Sequence, residues 1–215
     1  MTEPLYASNG QRYQNSKRSP QRQLSHVFES LSAPAYYTTL PALLSTYAAN
    51  LPTALVIDSG FAGTATVPIY EHTPIRCRAR RNEISGQAID DWLQLALVRE
   101  AGLEQQSTNV WEDVIRLFKF ERCLVAGDFE KELKEWTRRE EAGEGETWEL
   151  PDGRRVRLDR PLGLWAGEVL LNPGILGLDT GGLQHDAFNV VRRCDKALRE
   201  GLLEGIPCLL VSATD

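Results

Sequence analysis

The stretch TALVIDSGFAGTATVPIYEH, residues 53–72, constrains the fold more than any other part of the chain. Two runs rich in Val, Ile and Thr flank Asp58-Ser59-Gly60-Phe61-Ala62-Gly63, a turn short enough to demand an antiparallel hairpin. Downstream, PIRCRAR alternates Ile75, Cys77 and Ala79 with arginines, which predicts a third strand and a meander. The turn raises a functional question. A bend of small residues can hold a phosphate on its backbone amides, or it can simply join two strands.

Around this meander the periodicity is mostly helical. Leu24, Val27, Phe28 and Leu31 predict a helix over 21–31, and a second helix follows in YYTTLPALLSTYAA, where Pro41 is expected to kink or restart it. Ile89, Trp92, Leu93, Ala96 and Leu97 share one face of a helix that Gly102 can stop, and Trp111, Ile115 and Phe118 mark the next. Residues 128–146 alternate in charge and read as a solvated helix running into a loop. Trp148 with Leu150, then Val156 with Leu158, alternate on either side of Pro151-Asp152-Gly153, a hairpin signal. A short helix near AGEVLL precedes a long one predicted from Gln184 to Arg199, with Gly201 closing it. Its last turns carry Arg192, Arg193, Lys196 and Arg199, where a helix dipole favours cations. The apolar ending CLLVSATD reads as a buried strand, which leads us to expect a larger architecture around the chain.

Composition narrows the class. At 215 residues, 42% hydrophobic and 25% charged, the chain can form one globular unit or one and a half. A net charge of −6 argues against direct nucleic-acid binding, which needs a dense basic footprint. Cys77, Cys123, Cys194 and Cys208 form no Cys-x-x-Cys pair, so neither a zinc site nor a disulfide framework is expected, and a reducing cytosol or nucleus fits. No apolar run reaches the ~20 residues of a membrane span.

The order of motifs resembles the actin and actin-related protein family. FESLSAPAYY (28–37) and ALLSTYA (42–48) are similar to that family's approach to its second phosphate hairpin, and VIDSGFAGTATVPIYE to the hairpin itself. ISGQAIDDWL, ELPDGRRV and NPGILGLDTGGLQHDAFNVVRRCD then match the family's upper outer lobe and its return into the lower one. The resemblance implies an α/β, actin-like ATPase (ribonuclease H-like) fold that is partial here: an outer lobe with a mixed β-sheet and flanking helices. It implies residues 1–49 as a helical remnant of the inner lower lobe. Residues 50–84 with 173–215 would form the outer lower lobe, and 85–172 the outer upper lobe. The family's first phosphate hairpin and its final helical portion are expected to lie outside the sequence.

The same resemblance implies a degenerate nucleotide site made of Asp58, Ser59, Gly60, Phe61, Ala62, Lys119, Gly182, Ser212 and Ala213, with Asp58 as the metal carboxylate for ATP or ADP with Mg. Several positions depart from the family. Phe61 replaces a second acidic residue, Ala62 a glycine, Ala65 the water-positioning histidine and Pro41 the water-orienting glutamine. Phe120 replaces an acidic neighbour of Lys119, and Ser212-Ala213 replace paired glycines. Read without the family, Lys119 faces solvent and Phe120 joins the core, and Gly181-Gly182 merely precede a helix. Losing an electrostatic catalytic contact typically costs ~10²–10³ in rate, so no catalytic residue is assigned and ATPase activity is not expected. The implied role is a non-hydrolysing actin-related subunit that contacts an actin-like filament or multi-subunit complex, in the cytoplasm at the cytoskeleton or in the nucleus. The alternatives are an ATPase completed by segments outside the chain, or a truncated gene product. Trp165, Leu171 and Ile175 in GLWAGEVLLNPGILGL belong either to an intersubunit contact or to the core.

Overall fold

The computed structural model describes residues 25–30, 33–35, 39–100, 108–144 and 146–210. Of the helix predicted over 21–31, the described part is a π-helical turn at His26–Ser30; residues 1–19, Gly102, Ser212 and Ala213 lie outside the described residues. The elements that follow are α1 (Pro41–Ala48), β1 (Ala54–Ser59), β2 (Thr64–Tyr70), β3 (Thr73–Pro74), β4 (Arg80–Asn82), α2 (Gly86–Glu100), α3 (Thr108–Arg122) and α4 (Phe129–Glu141). Then come β5 (Glu146–Glu149), β6 (Arg155–Leu158), α5 (Leu162–Glu168), α6 (Leu183–Arg193), α7 (Lys196–Glu204) and β7 (Cys208–Leu210). They fall into two compact units.

The first unit is built on the hairpin. β1 and β2 pair antiparallel from Ala54↔Ile69 to Ser59↔Thr64, and β7 joins β1 in parallel, making the sheet mixed. Both faces of β1 are covered, because alternate residues point opposite ways. Val56 packs with Leu40, Leu43, Val67 and Ile69 on the α1 side, while Leu55 meets Val190 and Val191 of α6 on the other.

Of the two outcomes expected at Pro41, the described residues show a helix starting there: Pro41 takes the first position of α1 with Leu40 as N-cap, where a missing N–H costs nothing. Two expectations are corrected. The third strand is split into β3 and β4 by a 3₁₀ turn at Arg76–Arg78. Its cause is Pro68. The Pro68 carbonyl accepts from the Ile75 N–H at 2.8 Å, so on that side of β2, where an N–H would also point, the proline has none to offer a partner strand. The long helix predicted from Gln184 breaks at Cys194-Asp195 into α6 and α7, leaving Gly201 inside α7. Arg199 therefore does not end the helix carrying Arg192. It reaches back to cap it, with Nε 3.1 Å from the Cys194 carbonyl and a terminal nitrogen 2.7 Å from that of Arg192.

The second unit surrounds one core in which Leu93, Leu97, Phe118, Trp148, Leu158 and Leu162 are almost wholly buried. The β5–β6 hairpin forms as expected around Pro151-Asp152-Gly153, with Gly153 in the left-handed region at φ 83°. α4 buries no residue, as its charge pattern foretold. Leu171 and Ile175 pack against the core, and Trp165 stacks edge-on with Phe129 at 4.9 Å, which favours packing over an intersubunit contact for that loop.

Candidate functional site

Asp58 stands near the end of β1, half-buried, and burial raises its pKa above the ordinary 3.8. Among the described residues it has no hydrogen-bond or ion-pair partner. A lone carboxylate on a strand end is a poor choice for stability and a usual feature of a ligand site. The neighbouring Ser59 is buried, and its hydroxyl accepts from Thr64 Oγ1 at 2.9 Å. Because the fold disfavours ionised Asp58, its stability cost is present above the folded-state pKa and disappears as pH falls through that value toward 3.8. Asp58→Asn is thus expected to melt higher than the parent at pH 7, with the gap closing near pH 4. A lower melting temperature for the variant at pH 7 would refute the assignment of Asp58 as a destabilising, ligand-ready group.

The turn at Gly60–Gly63 belongs to the second unit. Its Gly60 N–H donates to the Gly63 carbonyl at 3.0 Å. The Gly60 and Phe61 carbonyls accept from the N–H groups of Gly86 and Gln87, at 3.0 and 2.9 Å. Those donors are the first amides of α2, which no residue within the helix can satisfy, so the turn caps α2. The amides of Phe61 and Ala62 donate to no acceptor among the described residues, which leaves them able to meet an anion. A Cβ on Gly60 would lie at ordinary contact distance, 3.6 Å from the Gly63 oxygen, so the fold itself does not require glycine there. The Phe61 ring is exposed and offers no ligand.

Lys119 lies beneath this cap. Its ammonium donates to the Gly86 carbonyl at 3.0 Å and to Asp90 at 2.7 Å, and its side chain is only 10% exposed. Phe120 is 80% exposed. That reverses the plain reading of a solvated lysine and a core phenylalanine. Gly182 has an internal reason to be glycine, since a Cβ would fall 2.0 Å from the Leu171 carbonyl oxygen. Pro41 and Ala65, which the resemblance sets where the family has its water-handling groups, start α1 and pack against the first core.

Among the described residues no three His, Cys, Asp or Glu side chains cluster as a metal site. A cavity of about 380 Å³ lies in the second unit between α4 and the segments around Arg122, Glu146 and Pro161, and none of the expected nucleotide residues lines it. The sequence reading missed the Asp90 partner of Lys119, which no spacing rule could expose. It also missed the grouping of arginines on the first unit, whose signal was present in RCRARR.

A mixed sheet covered on both faces is consistent with the actin-like ATPase fold that the family match implies over the part covered. The chain belongs to the actin family: the Actin family model matches residues 10–208. It is 32% identical over 189 residues to centractin of Schizosaccharomyces pombe, covering 88% of this chain and 48% of that protein. It is 32% identical to an actin-like protein of Neurospora crassa, over 84% of this chain and 47% of that protein, and 32% identical to centractin of Saccharomyces cerevisiae, over 84% and 46%. The chain spans about half the length of the curated relatives it matches.

Proposed function

We propose that this actin-related protein is a non-hydrolysing subunit that works by protein contact in a cytoskeletal assembly of the cytoplasm. The observation that carries the reading is the fate of Pro41 and Ala65. One has become a helix start and the other a packing residue, so neither can orient a water molecule. The half-buried, unpartnered Asp58 and the open amides of Phe61 and Ala62 support retained binding of ADP or ATP with magnesium. Asp58 would meet the hydrated metal, and the amides would meet phosphate oxygens. When bound, the metal would neutralise phosphate charge. Phe61 adds no second carboxylate, which makes the hold weak.

Incubating the full chain with Mg-ATP is expected to release no phosphate above the buffer rate. Phe61→Asp, which restores a carboxylate without restoring either water-handling group, is expected to be equally silent. Bound nucleotide stabilises a protein by RT ln(1 + [L]/Kd), so millimolar Mg-ATP should raise the melting temperature by only about a degree or two. Turnover by the parent or by Phe61→Asp would defeat the non-hydrolysing reading.

A further inference from the structure

The 3₁₀ turn carries Arg76 and Arg78, both exposed, and the α6–α7 corner of the same unit carries exposed Arg192, Arg193 and Lys196. The two groups are neighbours. Arg80 Nε lies 3.0 Å from Asp186 in the first turn of α6. Arg199 is fixed at the corner by its 3.1 Å hydrogen bond to the Cys194 carbonyl, and while burial raises the pKa of the Cys194 thiol, Arg78 is near enough to act on it electrostatically in the opposite sense. None of these five exposed cations has an ion-pair partner among the described residues. Of the carboxylates carried by these helices, Asp186 is already held by Arg80 and Asn82, leaving Asp195, Glu200 and Glu204. Gathering unpaired arginines on one face costs stability by mutual repulsion, and it happens here in a chain whose net charge is −6.

We propose that this face is a docking surface for an acidic segment, rich in Asp and Glu, of a protein partner. This deepens the protein-contact reading above by naming the partner's chemistry. Guanidinium groups pair carboxylates through parallel, charge-assisted hydrogen bonds, and several presented together recognise a short run of them. A short acidic peptide matches the extent of the patch, and a chain whose net charge is −6 as a whole is a poor match for the extended charge of a duplex or an anionic lipid surface.

The test is fluorescence anisotropy of a labelled octapeptide of glutamate and aspartate titrated with the full chain. A 20-base-pair DNA duplex and vesicles of phosphatidylserine in phosphatidylcholine serve as competing probes. The parent is expected to bind the peptide in a salt-sensitive way and more tightly than either competitor. The double variant Arg76→Ala, Arg78→Ala should weaken binding by ~10-fold or more. If that variant does not melt cooperatively, Arg193→Glu on the α6 corner should produce the same loss. No peptide binding, undiminished binding by the variants, or tighter binding of DNA or vesicles would each overturn the proposal. Phosphate release measured on the same samples separates the two readings: turnover with intact peptide binding sinks only the non-hydrolysing one, and lost peptide binding without turnover sinks only this one.

Discussion

Gly163→Ala or Gly167→Ala is expected to cost about 3 kcal/mol or more and to abolish cooperative unfolding of the second unit. Both glycines lie in α5, one turn apart on the same side. Helix propensity alone argues the opposite, because alanine is favoured over glycine in a helix interior by ~1 kcal/mol. Packing overrides it. A Cβ on Gly163 would sit 2.0 Å from the Arg122 carbonyl oxygen, and one on Gly167 would sit 1.9 Å from that of Leu124. These obstacles are backbone, not side-chain tips that can swing aside, and the Gly163 carbonyl itself accepts from the Leu124 N–H at 3.3 Å. Relief means lifting α5 off residues 122–125, away from the core that buries Leu162, Ala166 and Val169. All five tryptophans, at 92, 111, 136, 148 and 165, lie in the second unit, so the urea-induced change in their fluorescence reports on it. Gly127→Ala, where an added Cβ meets nothing within 4 Å, is the control. A Gly163→Ala protein as stable as that control would show that the close approach is not real.

The close approach also marks where sequence reading stops. GLWAG looks like any stretch with two glycines; only the identity of the neighbour, for Gly163 the Arg122 carbonyl 41 residues back in the chain, gives them meaning. The strand pair around Asp58 and the hairpin around Asp152 were legible because short-range rules, period-two alternation and turn chemistry, decide them locally. The third strand failed because its breaker, Pro68, sits in the partner strand and not in PIRCRAR. The long C-terminal helix failed because its periodicity continues smoothly through Cys194 while Asp195 takes extended dihedrals, φ −61° and ψ 144°. At the candidate site, residue identity alone carries the expectation that Pro41 and Ala65 do not handle water. What identity could not show is that Lys119 spends its charge on Asp90 and the Gly86 carbonyl, or that the turn's carbonyls cap α2 while two of its amides stay open. Such facts arise from tertiary contacts between residues far apart in sequence. They bear on the proposed function, since a turn that stabilises a helix has a structural reason to persist whether or not the site hydrolyses nucleotide.

Trp148→Ala is expected to destabilise the second unit by about 3–5 kcal/mol, the range for truncating a buried aromatic. Trp148 is 1% exposed and meets Phe118, itself fully buried, edge-to-face at 4.9 Å. Such a ring pair adds ~0.5–1.5 kcal/mol beyond the area it buries. The indole N–H donates to Glu121 at 3.0 Å, but Glu121 is exposed and water can replace that donor, so the hydrogen bond is the minor part. Trp148→Phe, which keeps a ring and loses the bond, should therefore cost roughly 1–2 kcal/mol, and Glu121→Gln less than 1. Leu150, Val156 and Leu158 still join the hairpin to the core, but its polar ties, Arg122 and the Trp136 indole to Glu146 and Arg157 to Glu140, lie at partly exposed positions and add little. A two-stranded hairpin that has lost its largest apolar anchor is marginal in water. Hydrogen exchange should accordingly show the amides of Glu146–Glu149 and Arg155–Leu158 losing protection first in Trp148→Ala, with those of β1 and β2 as the internal reference. Equal losses for Trp148→Phe and Trp148→Ala would mean that the bond to Glu121, and not the packed ring, holds the hairpin to α3.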